Sequence, residues 1–506
     1  MNVPVRSEDF CGKVPLHQTN LVQPHGVLLI IEKGTKRILQ VSENVSAVFG
    51  KEAAEVVGSS LDDFLVNPEN AQVKEVLSGN LALRVPVIFE FAAGKFLGSI
   101  KAQEAFFILE IETGRRSFEV EDSFVDVYHD VKFTMASLND AADTVEVCNK
   151  AIAQLKRVSG FDKIMIYRFD PDWNGDVIAE VMEEGMESYL GLKFPASDIP
   201  KQARELYQRV PFRLIPNVEY APVRLYPLLN PLTNAFTDLS DSNLRSVAGV
   251  HLEYLRNMKV QASMSTRIMI DGKLWGLIAC HHRTPKYLSY EVCSLFELLS
   301  DVISSKISAM RHSDLFDYKL KMKGLMFQVM ERISKGEDIV TSAGHEVESL
   351  LALLSADGVA FSLNNTINTF GKTPSTEAVE ELVLWLQSKG ITKLYHNAFL
   401  SSEFEAAEAF SDEGSGIVAL PIQVDKGAYI IAFRGEAAAK IQWGGNPDEA
   451  LTFEPNSSRY HPRHSFKTWQ EKVSKKSIPW SSDDLDIAES FRQSILEHSL
   501  NKMYHS

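Results

Sequence analysis

The sequence contains few cysteines and no long apolar run. Four cysteines in 506 residues are too few for a disulfide framework. No segment of about 18 consecutive apolar residues occurs, so the sequence predicts no transmembrane helix. The first residues, MNVPVRSEDF, lack the basic and apolar regions of a secretory signal peptide. Together these absences predict a cytoplasmic location.

Basic charge and the common catalytic motifs are also scarce. The chain has 52 basic and 67 acidic residues, a formal net charge of −15, which disfavours nucleic acids and anionic membranes as partners. No Cys-x-x-Cys or His-Glu-x-x-His spacing occurs, so a zinc site is weakly supported. The sequence contains no nucleophile elbow, the motif that would indicate a serine hydrolase. We therefore predict that this chain is not an enzyme.

Hydrophobic patterning predicts an α+β chain of several domains. At roughly 150 residues per domain, the length corresponds to about three domains. The dipeptide Asp271-Gly272 predicts a hairpin turn, and an apolar stripe predicts one helix over residues 290–334. Residues 194–240 are expected to form a proline-rich loop. Another helix is expected near residues 139–160, and its expected buried face consists of Val145, Cys148, Ile152 and Leu155.

The segment FPASDIP at residues 194–200 places a carboxylate in a stiff, apolar loop. Its two prolines fix the backbone and remove two hydrogen-bond donors, while Phe194 and Ile199 flank Asp198. An acid–base pair of Asp198 with His251 is one interpretation, although the sequence offers no nucleophile, metal site or cofactor-cradling loop beside it. The segment alone leaves the role of this carboxylate open.

Polar residues in apolar surroundings form a second set of candidates. Arg213 and Arg245 are either surface arginines with buried stems or guanidinium groups that bind carboxylates in bidentate fashion. Ser263 and Ser265 lie on one face of a strand because side chains alternate along it, and their hydroxyls can complete a carboxylate site. His281 ends an apolar strand, where it either reaches solvent or contributes to a site.

Five motifs occur in order: VQPHG at 22–26, FPASDIP at 194–200, VHLEYLRNM at 250–258, LWGLIACHH at 274–282, and WGG with PRHSF at 443–445 and 462–466. With this set the chain closely resembles a bacterial phytochrome photosensory module over nearly all of its length. The resemblance implies three consecutive PAS/GAF-like domains, each an antiparallel sheet flanked by helices, joined by a long helix. The expected domains are PAS at 1–115, GAF at 116–312, and PHY at 313–506 with a tongue insertion at about 434–472 and a C-terminal signalling helix.

The resemblance also implies a chromophore. The family binds a linear tetrapyrrole, and its plant and cyanobacterial members attach it through a cysteine at the position of Val250. Bacterial members use a cysteine near the N-terminus, which corresponds to Cys11. The implied cofactor is therefore biliverdin, joined by a thioether bond to Cys11, although that cysteine taken alone is more typical of a free thiol. No metal is implied.

Roles for further residues follow from the same resemblance. The backbone carbonyl of Asp198 would face the pyrrole nitrogens, and its carboxylate would pair with Arg463 of PRHSF. His251 would contact the inner rings, and His281 the carbonyl of the outermost ring. The remaining implied residues are Tyr167, Phe194 and Tyr254 around that ring, Ile199 and Pro200 in the loop, Tyr207, Arg213, Arg245, Ser263 and Ser265 near the propionates, and Trp443 and Ser465 in the tongue.

The implied function is that of a red/far-red light receptor. Light would isomerise the bilin, and the tongue would refold from a hairpin to a helix. GAF and PHY helices would form a homodimer and relay the change to an output domain outside this chain, with a histidine kinase or a diguanylate cyclase expected. The alternative is a GAF-type sensor of a small ligand without a bilin, which would leave Cys11, FPASDIP and PRHSF without a role.

Overall fold

The computed structural model describes residues 16–78, 84–113, 132–335, 338–437, 439–449, 451–453 and 460–505. The predicted attachment residue Cys11 lies outside these ranges. None of the described helices is both long and apolar enough to cross a bilayer. The chain forms two compact units, one comprising Met1–Met310 with Gln442–Trp469 and the other Arg311–Ile441 with Gln470–Ser506.

The first unit begins with an antiparallel sheet of seven strands. Alternate residues of the apolar strand Gly26–Glu32 point to opposite faces, so Leu29 packs into one core and Leu28 into another. The short helices Ser46–Phe49, Ala53–Val56 and Ala71–Ser78 contribute to the core around Leu29. The strand order is Leu21–Val22, Val223–Tyr226, Ile38–Ser42, Gly26–Glu32, Phe106–Glu112, Gly94–Ala102 and Val85–Phe91.

Two distant parts of the sequence contribute to this first sheet. The strand Val223–Tyr226, from the region predicted to be loop, pairs with residues 21–22 and with Ile38–Ser42. The backbone nitrogen of Gln23 donates a hydrogen bond of 2.7 Å to Leu244 O. The loop that contains Arg245 is therefore fixed to the N-terminal sheet.

A second antiparallel sheet of the first unit carries most of the candidate residues. The predicted hairpin is confirmed: Asp271 and Gly272 connect its strands with positive φ angles of 51° and 73°, as a type I′ turn requires. At one edge Trp443, in the strand Ala439–Gly444, pairs in parallel with Lys193. The antiparallel strands are, in order, Phe212–Ile215, Ala262–Ile270, Lys273–His282, Lys163–Phe169, Gly175–Met182 and Lys193–Phe194.

Helices pack against this second sheet. Thr144–Ser159 buries Cys148, Ile152 and Leu155 as predicted. Val145 is 47% exposed, so its predicted burial was wrong; it lies in the first helical turn, where its side chain reaches solvent. The long helix predicted at 290–334 is confirmed and runs from Tyr290 to Ser334. The shorter helices are Lys201–Arg209 and Gly249–Asn257.

The second unit contains an antiparallel sheet of five strands with apolar cores on both faces. Its strands are, in order, Thr366–Gly371, Gly358–Leu363, Ala428–Arg434, Gly416–Gln423 and Tyr395–Asn397. Its helices are Ile339–His345, Val347–Leu353, Thr376–Ser388, Ser411–Gly414 and Ser482–His505. Sheets flanked by helices and a long helix confirm the predicted α+β class. Outside the five-stranded sheet, Leu451–Phe453 pairs with Tyr460–Pro462 in a two-stranded sheet of the first unit, and Thr468–Val473 follows Ala439–Gly444 at the edge of the first unit's second sheet.

Candidate functional site

A cavity of about 250 Å³ lies in the first unit and brings together the predicted pocket residues. Val250 and Leu16 line it as well. The fold thus gathers the predicted side chains around one cavity from several loops, strands and helices. The predicted residues that line the cavity are Tyr167, Phe194, Asp198, Ile199, Pro200, Tyr207, Arg213, Arg245, His251, Tyr254, Ser263, Ser265 and His281.

Strand register places polar side chains side by side at one end of the cavity. Arg213 lies opposite Ser265 on the neighbouring strand, and Ser263 lies opposite His281 on the next. The two serines share a face because they are two residues apart. The hydroxyl groups of Tyr207 and Ser265 are hydrogen-bonded at 2.6 Å. The cavity thus has one end rich in hydroxyl and guanidinium donors.

The two arginines at this end are held by carbonyl groups. Arg213 donates to Asn243 O at 2.7 Å and also to Arg245 O, and Arg245 donates to Leu239 O at 3.2 Å. Neither forms an ion pair with a carboxylate within the part of the chain that the structure describes. Burial and the neighbouring Arg213 charge lower the pKa of Arg245 to about 9. Half-buried Arg213 and buried Arg245 together favour an anionic ligand, since charges removed from water require a partner.

Two histidines line the cavity, and the pKa of each is lowered. Burial and the Arg213 charge lower the pKa of His251 to about 4, and burial, Lys163 and His251 lower that of His281 to about 3. Among the described residues, His281 Nδ1 and the Tyr167 hydroxyl are buried without a hydrogen-bond partner. A neutral imidazole can both donate and accept, so these groups can serve a ligand with carbonyl and N–H groups.

Aromatic rings wall the cavity near these unpartnered groups. The Phe194 ring lies 6.1 Å from that of Tyr167 and 5.7 Å from that of Tyr189. His251 and Tyr254 are nearly parallel, with ring centres 6.1 Å apart. Tyr189 was missed by the sequence analysis because no motif contains it. Planar apolar walls with a few polar groups are typical of sites for flat organic ligands.

In the FPASDIP loop, the Asp198 carboxylate contacts both Tyr254, which lines the cavity, and Arg463. Pro200 caps the helix Lys201–Arg209, and Asp198 N donates to Pro195 O at 3.0 Å, which fixes the loop backbone. Tyr254 Oη donates to Asp198 Oδ2 at 2.9 Å, and Arg463 forms an ion pair with Oδ1. Burial raises the pKa of Asp198, whereas Arg463 and Tyr254 oppose this shift by stabilising the carboxylate.

Arg463 is buried more deeply than Asp198. The exposed fractions of the two side chains are 2% and 6%. Arg463 also donates to Gly444 O, and its backbone oxygen accepts a 3.1 Å hydrogen bond from Asn257 Nδ2. Its guanidinium group therefore connects the FPASDIP loop with the segment Gln442–Trp469.

The segment Gln442–Trp469 contains three further residues of interest, which differ in backbone conformation and burial. Gly445 has φ of 92°, and a Cβ there would collide with Ser465 O, so the turn requires glycine. Trp443 is only 8% exposed. Ser465 is exposed and does not line the cavity, so the structure leaves it apart from the other predicted residues.

Comparison with known families covers most of the chain. Family models match in the order PAS fold at residues 11–113, GAF domain at 143–307 and phytochrome region at 323–503. Among curated relatives, cyanobacterial phytochrome B of Nostoc sp. is 37% identical over 97% of this chain and 66% of its own length. The bacteriophytochrome of Xanthomonas campestris is 30% identical over 96% and 77%. The chain thus spans just under two thirds of the length of the cyanobacterial relative and about three quarters of that of the Xanthomonas relative.

Solved structures agree with these sequence relatives. The photosensory core module of the Stigmatella aurantiaca phytochrome is 35% identical, with a TM-score of 0.83 over 97% of this chain and 98% of that one. A bacteriophytochrome of R. palustris is 31% identical, with a TM-score of 0.84 over 97% and 99%. This chain therefore belongs to the phytochrome family and carries its photosensory core of PAS, GAF and PHY domains.

Proposed function

We propose that this chain is a red/far-red light receptor that holds biliverdin in the cavity of its first unit. The observation that carries this proposal is the pair of arginines, half-buried Arg213 and buried Arg245, in a cavity that aromatic and aliphatic side chains otherwise line. Biliverdin is a flat, open chain of four pyrrole-type rings with two propionates. Its carboxylates match the two guanidinium groups, and its rings match the aromatic walls.

The remaining polar groups of the cavity also fit this ligand. Ser263 and Ser265 add hydroxyl donors beside the arginines. His281 Nδ1 and the Tyr167 hydroxyl, which have no partner among the described residues, can bind polar groups of an outer ring. Neutral His251 can bind an N–H group or a carbonyl closer to the centre. His281 Nδ1 and the Tyr167 hydroxyl would thereby gain partners, which favours binding because an unsatisfied buried group is costly.

We assign the covalent bond to Cys11. Leu16 lines the cavity, and five residues of chain span at most about 18 Å, so Cys11 is within reach. The described cysteines are poor nucleophiles, because burial raises the pKa of Cys148 to about 12 and also raises those of Cys280 and Cys293. A thiol reacts as its thiolate, which leaves Cys11 as the residue for the thioether.

The light response would reach the protein through groups that contact the outer ring. When bound, biliverdin supplies the red absorption and a double bond that isomerises in light. Tyr167, Phe194 and His281 would then exchange contacts around that ring. Tyr254 shares a hydrogen bond with Asp198, so a shift of the aromatic wall would change the ion pair with Arg463. Breaking that pair would release the segment at 442–469 to refold, a recognised mode of switching.

We also propose that the chain forms a homodimer and acts on an output domain. The helix Tyr290–Ser334 exposes Phe316, Leu320 and Phe327 by 67%, 60% and 68%. Large exposed apolar residues on a helix favour a partner surface, and a second copy of this chain would supply it. The output would be a histidine kinase or a diguanylate cyclase. The proposed domain boundaries, 1–115, 116–312 and 313–506, enclose the three matched family regions.

Titration with biliverdin tests the proposed site. The chain should take up one equivalent, with a strong red absorption band. The double variant Arg213→Ala with Arg245→Ala should bind about a hundredfold more weakly, because two charge-assisted hydrogen bonds of about 1.5 kcal/mol or more would be lost. Exposed Arg224 offers a matched control, and Arg224→Ala should bind like the parent. Equal affinity of the double variant would contradict the assignment, and no uptake at all would favour the small-ligand sensor.

A further inference from the structure

We propose that Glu110, in the strand Phe106–Glu112 of the first sheet, positions the arginine pair of the cavity and thereby selects ligands with free carboxylates. The inference rests on the proposed function and names a residue outside the cavity lining. Glu110 is 6% exposed and does not touch the cavity. It would act as a positioning residue, through the loop that contains Arg245.

The Glu110 carboxylate is fully engaged by that loop and by one arginine. Its Oε1 accepts a hydrogen bond of 2.8 Å from Leu244 N and another from Ser242 Oγ. Its Oε2 pairs with Arg84. Arg84 also donates to the backbone oxygen of Asp241. A single carboxylate and its ion-pair partner thus tie the loop to the first sheet at Asp241, Ser242 and Leu244.

The same loop holds both guanidinium groups of the cavity. Ser242 Oγ accepts a 3.1 Å hydrogen bond from Arg245 N, which fixes the backbone from which the Arg245 side chain leaves. Arg213 is oriented by two loop carbonyls, those of Asn243 at 2.7 Å and of Arg245. Loosening the loop would therefore displace both arginines together, while the aromatic walls come from other elements.

Charge acts in the same direction as geometry. The Glu110 carboxylate favours the charged forms of Arg213 and Arg245, opposing the burial that lowers their pKa values. The paired Arg84 offsets part of this charge, so the hydrogen bonds of Glu110 to the loop carry most of its effect on the arginines. Glu110 thus favours two fixed cations at the cavity end without competing for them.

Selectivity between an acid and its ester separates this role from general support of the fold. Biliverdin and its dimethyl ester share their ring system, but only the acid presents carboxylates to the arginines. If Glu110 acts through the arginines, its loss should weaken binding of the acid and leave binding of the ester nearly unchanged. A residue that merely stabilises the fold would affect both ligands alike.

The experiment measures the dissociation constants of both ligands in a Cys11→Ser parent, where binding is reversible. In Glu110→Ala the affinity for biliverdin should fall tenfold or more, about the effect of one charge-assisted hydrogen bond, with the ester affinity within about twofold of the parent. Exposed Glu104, in the turn before the same strand, provides the control. In Glu104→Ala the ratio of the affinity for the acid to the affinity for the ester should equal that of the parent.

A second variant keeps the test decisive if Glu110→Ala does not fold. Glu110→Gln keeps the size of the side chain but removes the ion pair with Arg84, and it should lower the ratio of acid affinity to ester affinity as Glu110→Ala does. An unchanged ratio in the folded variants, or equal losses for both ligands, would overturn this inference alone. Failure of the parent to bind either ligand would overturn the proposed function, and this inference with it.

Discussion

Replacing Arg463 with alanine is expected to destabilise the segment Gln442–Trp469 by about 3–5 kcal/mol, the usual effect of removing one partner of a buried ion pair. Asp198 would remain as a buried carboxylate, with Tyr254 as its one side-chain donor among the described residues. Gly444 O would also lose its hydrogen bond from Arg463. Both losses fall on the contact between the FPASDIP loop and this segment.

Hydrogen exchange of the Gly445 amide measures this effect directly. That amide donates to Lys467 O at 3.0 Å, so it reports opening of the segment. Its exchange should accelerate about a hundredfold or more in Arg463→Ala, while amides of the five-stranded sheet in the second unit stay protected. The double variant with Asp198→Ala should lose less than the sum of the two single changes, because it leaves no unpaired buried charge.

The same variant should alter the light response once biliverdin is bound. If the pair controls refolding of the segment, Arg463→Ala should block formation of the far-red-absorbing state or speed its loss in darkness. Unchanged Gly445 exchange together with unchanged dark reversion would contradict the role given to the ion pair.

Replacing Cys11 with serine is expected to abolish covalent attachment of biliverdin completely. A hydroxyl at this position is far less nucleophilic than a thiolate, and the cavity contacts would still bind the pigment reversibly. On a denaturing gel stained with zinc, the parent should fluoresce and the variant should not. Intact mass measurement should give one added biliverdin for the parent and none for Cys11→Ser.

The buried cysteine Cys148 provides the matched control. Cys148→Ala should keep full attachment, since that side chain is 0% exposed and lies in the helical core. Attachment that survives in Cys11→Ser, or that is lost in Cys148→Ala, would contradict the assignment of the bond to Cys11.

Elements with local causes could be predicted from the sequence. The hairpin at Asp271 and Gly272 follows from turn chemistry, and the helix Tyr290–Ser334 follows from its apolar stripe. The strand Val223–Tyr226 and the helix Lys201–Arg209 were missed, since both lie in a region rich in proline. That strand forms because it pairs with strands that are distant in the sequence, as Leu225 pairs with Ser42. A local sequence pattern does not contain this information.

The same distinction applies to the site. Motif residues such as Asp198 and His281 were found because they stand in recognisable segments. Tyr189 does not lie in such a segment. Glu110 lies in a strand whose sequence has no feature that sets this residue apart, so its role could not be predicted. Ser242 lies 132 residues after Glu110 in the sequence, and a local sequence pattern does not predict a hydrogen bond over that separation. Side chains that act through distant loops require the fold before they can be identified.

The most direct test of the account is the absorption spectrum of the biliverdin-loaded chain before and after red light. We expect a strong red band that converts to a far-red band and returns under far-red light, because the cavity would hold a pigment whose outer ring can turn. A pigment-loaded chain whose spectrum does not change on illumination would contradict the proposal that this cavity is the light sensor.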